Sequence, residues 1–196
     1  MRIISGKYKG RQIHTPNNLP VRPTTDFAKE GLFNILNNLV DFEEISVLDL
    51  FAGTGNISYE FFSRGAVNIT AVEIDPKCEA FIDKTIQLLN AESFTAIRAN
   101  VFHYLKRPYE SFDIIFADPP YQMEKIDEIP DLIFQSKILK NEGWFILEHS
   151  KRHDFSNHPF FDQHRKYGNV NFSFFRLPEP RPLTSLPVDS GVAELR

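Results

Sequence analysis

Five short β-prone runs, most of them separated by a stretch that reads as helix, constrain this chain more than any other feature. They cover residues 46–50, 69–74, 94–98, 112–117 and 143–148. The run Ser46-Val47-Leu48-Asp49-Leu50 and the run Phe112-Asp113-Ile114-Ile115-Phe116-Ala117 are apolar almost throughout and do not alternate. A strand of that kind is buried on both faces, and strands joined by helices form a parallel sheet covered on both sides. Helices are expected over residues 56–64, from Pro76 to about Asn90, and over roughly 129–139. Two further runs, near 160–167 and 170–175, flank Gly168-Asn169, a turn pair that predicts a closing antiparallel hairpin. The expected fold class is therefore α/β: a doubly wound, mostly parallel, seven-stranded Rossmann-like sheet with an antiparallel hairpin at its C-terminal edge.

The N-terminal stretch does not fit that alternation. Residues 2–14, punctuated by Gly6 and Gly10, predict a small β-hairpin. A helix follows, capped by Thr24 or Thr25, with Phe27, Gly31, Leu32, Ile35, Leu36 and Leu39 as its apolar stripe. The division expected is an N-terminal hairpin and helix over 1–40, a catalytic domain over 41–175 and a proline-rich tail over 176–196. The tail carries no hydrophobic period, and we expect it to be extended or disordered and outside the core.

Composition narrows the class. The net charge of −4 argues against a uniformly basic nucleic-acid coat. Up to Asp26, however, the charged residues are Arg2, Lys7, Lys9, Arg11 and Arg22, with no acid among them, which suits a phosphate-facing patch. An ordinary solvated hairpin would have the same charges. The single cysteine, Cys78, excludes an internal disulfide, and a reducing cytoplasm is expected. The first residues lack the apolar core of a signal peptide, and no apolar run approaches a membrane span.

Candidate ligand-binding residues fall where such a sheet places its ligands, beyond the carboxyl ends of the strands. The first strand carries Asp49 and runs into Phe51-Ala52-Gly53-Thr54-Gly55, whose glycines permit positive φ and close approach of a ligand. Glu73 ends the second strand, beside Ile74, and a carboxylate there suits the two hydroxyls of a ribose. The spacing Gly53-x-Gly55-x-x-Ser58 is a weak match to a dinucleotide fingerprint. Asp49 discriminates better. A carboxylate there repels a pyrophosphate but suits a ligand bearing an ammonium group, which favours S-adenosylmethionine over NAD. Asn100-Val101 follows the third strand, and the Asn100 amide either reads an adenine edge or caps a loop.

The fourth strand ends in Asp118-Pro119-Pro120-Tyr121. An exocyclic amine is a poor nucleophile because its lone pair is conjugated into the ring. Acceptors on its N–H groups must hold that lone pair out of the ring plane. Asp118 supplies a carboxylate, and the prolines supply carbonyls without competing N–H groups and fix φ. Acceptors aimed at a nitrogen that gains positive charge favour the transition state. Tyr121 offers a face for a flipped base.

These segments, with Ala71-Val72-Glu73-Ile74-Asp75, resemble the motifs of the class I amino-methyltransferases. The N-terminal Arg2-Ile3-Ile4-Ser5-Gly6-Lys7-Tyr8-Lys9-Gly10-Arg11, Arg22-Pro23-Thr24-Thr25 and Lys29-Glu30-Gly31-Leu32-Phe33-Asn34-Ile35-Leu36 narrow the resemblance. They are similar to the bacterial 16S ribosomal-RNA guanine-N2 methyltransferases that modify guanine 966. The resemblance covers about residues 1–175. It implies methyl transfer from S-adenosylmethionine to 16S ribosomal RNA or the assembling 30S subunit; a cytoplasmic monomer with no metal and no membrane partner is expected. It adds Thr24, Thr25 and Lys29 to a cofactor set of Asp49, Phe51, Gly53, Gly55, Glu73, Ile74, Asn100 and Val101. Arg22 joins them in closing the site, and the N-terminal cations would meet RNA. Phe27 stands where the family usually has a basic residue, and Ser58 where glycine is common. Adenine-N6 and protein-glutamine methyltransferases share the catalytic motif, so the substrate assignment rests on residues 2–36; an NAD-binding oxidoreductase and a non-catalytic ribosome-assembly module are the remaining alternatives.

His149, His153, His158 and His164 match no common zinc spacing, and with Lys151, Arg152, Arg165 and Lys166 they form either a solvated edge or an RNA border. Trp144 is expected in the core. Cys78 has no histidine partner nearby and is expected to be chemically inert.

Overall fold

Residues 46–50 need cover on both sides, and the chain provides it with two separate cores. In the computed structural model, which describes residues 1–16, 19, 25–106 and 110–178, the elements follow one another as α1 (Asp26–Leu36), β1 (Ser46–Leu50), α2 (Asn56–Ser63), β2 (Asn68–Glu73), α3 (Pro76–Leu89), β3 (Phe94–Arg98), the single turn α4 (Val101–Tyr104), β4 (Phe112–Ala117), α5 (Ile129–Ser136), β5 (Leu139–His149), β6 (Phe161–Tyr167) and β7 (Val170–Phe175). The seven strands form one sheet in the order β3-β2-β1-β4-β5-β7-β6. β1 to β5 pair in parallel, and β6 and β7 add the expected antiparallel hairpin. The order reverses between β1 and β4, the switch point where an open α/β sheet opens a crevice.

Side-chain alternation along each strand sorts the core. Val47, Ile69, Ile114, Phe116, Ile146, Phe172 and Phe174 join α1 and α2 residues such as Leu32, Phe33 and Phe61 in one cluster. Leu48, Leu50, Val72, Ile115, Phe145, Leu147 and Phe175 meet Ile129 and Ile133 of α5 in the other. Asp49, Asp118 and Glu148 occupy the positions in β1 and just after or near the ends of β4 and β5 that project to the α1–α2 side. Trp144 is buried in the same layer. Among the described residues no helix is long and apolar enough to cross a membrane.

Several expectations are corrected. The N-terminal hairpin is only a narrow ladder, with Ile3 N–H donating to Arg11 O, Ile13 N–H to Met1 O, and one bridge between Arg2 and Gln12. It does not lengthen because the residues of its tip bond to α2 instead. Ile4 and Ser5 N–H donate to the Glu60 carboxylate, Lys7 N–H to Ser63 O and Tyr8 N–H to Ser63 Oγ. Gly6, at φ +79°, lies so close that a Cβ would sit 1.8 Å from Ser63 O.

The α1 stripe is rotated relative to its prediction. Its buried residues are Ala28, Lys29, Gly31, Leu32, Phe33 and Leu36, while Phe27 is 64% exposed. Buried Lys29 sets that rotation: its Nζ donates to Arg2 O at 2.7 Å and Asn56 Oδ1 at 2.8 Å and lies 3.8 Å from Glu60. A hydrophobicity pattern scores Lys29 as polar and cannot anticipate its burial. Thr25 caps the helix by accepting from Ala28 N–H. Helix α5 stops at Ser136, earlier than predicted, because Lys137 turns left-handed at φ +57°; β5 accordingly starts at Leu139, opposite Phe112. β2 ends at Glu73, which leaves Ile74 beyond the strand. Arg176 belongs to the folded body and not to the tail: its N–H donates to Phe160 O, its Nε pairs with Asp162 at 3.0 Å, and its guanidinium lies 5.1 Å from the Trp144 ring. Residues 179–196 of the expected tail lie outside the described residues.

Candidate active site

The loop from β1 to α2 forms the floor of the crevice. Phe51, Gly53 and Gly55 have φ of 61°, 56° and 79°, so left-handed residues alternate along it. For Phe51 that conformation is strained, and strain of this kind gathers at ligand sites. The turn closes on itself, with Gly55 N–H donating to Ala52 O at 2.7 Å. The loop is tied down from two sides. Ala52 N–H donates to Val72 O, and Gly53 N–H donates to Glu73 Oε2 at 2.7 Å.

Three carboxylates converge at the carboxyl ends of β1, β2 and β4. Asp49 is 2% exposed and accepts a hydrogen bond from Ser58 Oγ. Burial pushes its pKa up to about 7, against the ordinary 3.8, and the negative charges of Asp118 and Glu73 push in the same direction. Glu73 accepts from Ile74 and Asp75 N–H as well as from Gly53. Such a concentration of negative charge is costly by itself, suits a cationic ligand and repels a pyrophosphate. The carboxylates therefore fit S-adenosylmethionine, which carries an ammonium and a sulfonium. Ile74, 58% exposed beside Glu73, offers an apolar surface at the same rim.

Asn100 accepts from Phe102 and His103 N–H through Oδ1 and caps α4, so its side-chain oxygen is committed to the helix start. Val101 is buried in the core behind it. Ser58, which sequence reading treated only as a departure from glycine, proves to be the hydroxyl partner of Asp49.

In the Asp118–Tyr121 segment Asp118 N–H donates to Leu50 O, which holds the start of the loop against β1. Asp118 is partly exposed, Pro119 buried and Pro120 exposed. Tyr121 is 43% exposed, and its hydroxyl donates to Glu148 Oε1 at 3.3 Å. Glu148 was missed in the sequence, where it reads as the polar end of an apolar run. It is 3% exposed and one strand over from Asp118, since Ala117 and Leu147 are register partners.

The structure does not bring all the expected residues together. Arg2 lies on the rim, 3.7 Å from Asp26 at the start of α1. Lys7 and Arg11 instead flank the Tyr8 ring at 5.4 and 5.7 Å, and Tyr8 O–H donates to Leu89 O at the C-terminal end of α3. With Lys9 they occupy the tip of the arm, the length of α2 (about 12 Å) away from the glycine loop. Thr25 is engaged as a cap and Lys29 as a buried brace behind Asn56, the first residue of α2. Arg22 and Thr24 lie outside the described residues.

The late histidines act as ties between segments. His149 is buried between Ser150 O and Ser173 Oγ, and its burial lowers its pKa and keeps the ring neutral. His153 meets Asp127 at 2.9 Å, His158 meets Asp131 at 3.3 Å and His164 meets Asn171 at 3.1 Å. Among the described residues no group of three or more His, Cys, Asp or Glu side chains is placed to hold a metal ion. Cys78 is fully buried, with its thiol pKa pushed up to about 12 by that burial.

Comparison with known proteins gives concordant results. The family model described as conserved hypothetical protein 95 matches residues 1–176. The ribosomal RNA small subunit methyltransferase D of Buchnera aphidicola subsp. Baizongia pistaciae is 36% identical over 148 residues, covering 76% of this chain and 75% of that protein. The protein of the same name from Escherichia coli K12 is 30% identical over 148 residues, covering 76% and 74%. Among solved structures, a candidate methyltransferase from Escherichia coli, yhhF, superposes with a TM-score of 0.80 at 27% identity, covering 90% of this chain and 98% of that one.

Proposed function

The chain belongs to the family described as conserved hypothetical protein 95, alongside the ribosomal RNA small subunit methyltransferase D proteins, and on that premise we propose that it methylates the N2 amino group of a guanine in 16S ribosomal RNA. The observation that carries the chemistry is the convergence of Asp49, Glu73 and Asp118 around a left-handed glycine loop. S-adenosylmethionine, when bound, supplies an electrophilic sulfonium methyl. In this reading Asp49 and the Gly53-Thr54-Gly55 turn, whose glycines let a ligand come close to the backbone, hold the amino-acid end of the cofactor, while Glu73 and Ile74 receive the adenosine end.

Asp118 then accepts one N–H of the target amine, and the Pro119 carbonyl offers a second acceptor in a backbone that proline has fixed. Both acceptors act on the amine so that its lone pair leaves the ring plane, and both stabilise the positive charge that the nitrogen gains. The extra proton departs after transfer, so no strong base is required. Tyr121 presents its ring to the base. Support for small-subunit ribosomal RNA comes from the names of the relatives, and support for guanine only from the resemblance over residues 2–36.

The test is transfer of labelled methyl from S-adenosylmethionine to 16S RNA and to 30S particles, with DNA and a protein substrate as controls. We expect label in the RNA, and Asp118→Ala to abolish transfer while S-adenosylhomocysteine still binds. Labelling of DNA or protein alone, or unchanged turnover in Asp118→Ala, contradicts the assignment.

A further inference from the structure

Lys7, Lys9 and Arg11 lie at the far end of α2 from the glycine loop, so side chains other than these are the ones placed to meet RNA beside Asp118. Folding leaves five large apolar side chains exposed among the described residues, and Phe27, Ile74 and Tyr121 of these lie at the carboxyl end of the sheet. Ile74 stands on the cofactor side. Phe27 and Tyr121 are linked on the other side by a chain of contacts. Tyr121 bonds to Glu148, Glu148 faces Phe172 across the β5–β7 pair, the Phe172 ring lies 6.1 Å from Tyr167, and Tyr167 meets Phe27 edge-on at 5.9 Å.

Phe27 is the most exposed of these rings, and its placement is built in. Tyr167 O–H donates to Gly31 O at 3.2 Å, and its ring fills the space over Gly31, where a Cβ would be 2.2 Å away. Any other residue at position 31 would displace the ring that props Phe27. Two arginines lie on neighbouring elements. Arg165 shares the face of β6 that carries Tyr167, two residues away, and Arg2 neutralises Asp26 next to Phe27. An exposed aromatic ring held in place by its neighbours is the feature on which proteins stack unpaired bases.

We infer that Phe27, propped by Tyr167, is a stacking platform for an RNA base adjacent to the one presented to Asp118. This inference rests on RNA being the substrate. The test compares the wild-type protein with Phe27→Ala, Phe27→Leu and Phe27→Trp on a 16S RNA fragment spanning the methylated site. It records KM for RNA, KM for S-adenosylmethionine and thermal melting. Leu88→Ala, an exposed apolar residue at the other end of the sheet, serves as the control.

Phe27→Ala and Phe27→Leu should raise KM for RNA by about five- to 150-fold, the range of base–aromatic stacking. Phe27→Trp should keep KM near wild type, and cofactor KM and melting should not move. An unchanged KM in Phe27→Ala, or full function in Phe27→Leu, overturns the platform. A defect on 30S particles but not on the naked fragment means that Phe27 meets a ribosomal protein, which also overturns it. A wild-type protein that methylates no RNA at all defeats the functional reading itself, and this inference with it.

Discussion

Asp49 offers a test in which stability and ligand binding are predicted to move in opposite directions. Its carboxyl is buried and titrates at about 7 instead of 3.8, with burial as the main cause. A raised carboxylate pKa means that the folded state binds more protons than the unfolded state between about pH 4 and 7, so stability falls as pH rises through that window. At about 1.4 kcal/mol per pH unit, the cost reaches at most about 4 kcal/mol by pH 8, of which about 2.5 kcal/mol develops above pH 5. Asn at this position keeps the volume and an acceptor for Ser58 Oγ but cannot ionise. Asp49→Asn should therefore unfold at higher urea than wild type at pH 8, and its advantage should shrink by up to about 2.5 kcal/mol at pH 5. Other titrating groups cancel in the difference between the two proteins. The same substitution removes the proposed partner of the ligand's ammonium group, so S-adenosylhomocysteine should raise the melting temperature of wild type and not of the variant. Wild-type binding should release protons below pH 7, as the ligand draws Asp49 into its ionised form. An Asp49→Asn protein that is less stable at pH 8, or a gap between the two proteins that does not change with pH, would refute the reasoning.

Two further outcomes follow from packing. Gly6→Ala forces a Cβ onto Ser63 O at a left-handed φ, and should cost about 2 kcal/mol or more and free the arm for proteolysis, read by urea unfolding and limited digestion. Cys78 should resist alkylation in the folded protein at pH 8 and react at an ordinary rate in denaturant, because both burial and a pKa of about 12 withhold the thiolate; rapid labelling of the folded protein would contradict its placement.

The strand–helix alternation made the sheet legible because strands buried on both faces leave an unambiguous apolar signature, and Gly168-Asn169 fixed the last hairpin. The carboxyl-end residues were legible for the same reason: a strand end in this architecture is a ligand position, so Asp49, Glu73 and Asp118 could be located without coordinates. What escaped were polar residues buried by partners distant in sequence. Lys29, Glu60 and Glu148 look like surface residues until Asn56, the N-terminal amides and Tyr121 are brought to them. Phe27 failed in the opposite direction. A hydrophobic period places it in the core, yet the Lys29 brace turns the helix and leaves the ring in solvent. The basic arm was read correctly as a charge pattern but could not be positioned, since only the docking of Gly6 on Ser63 shows which end of the sheet its tip occupies.

The central claim is methyl transfer to a guanine amine in 16S RNA. The most direct measurement is mass spectrometry of nuclease fragments of 16S RNA after reaction with the protein and S-adenosylmethionine, followed by nucleoside analysis of the modified fragment. The account predicts one added methyl in a single fragment, recovered as N2-methylguanosine and absent with Asp118→Ala. Recovery of N6-methyladenosine, a methyl on ribose, or no modified fragment at all would contradict it.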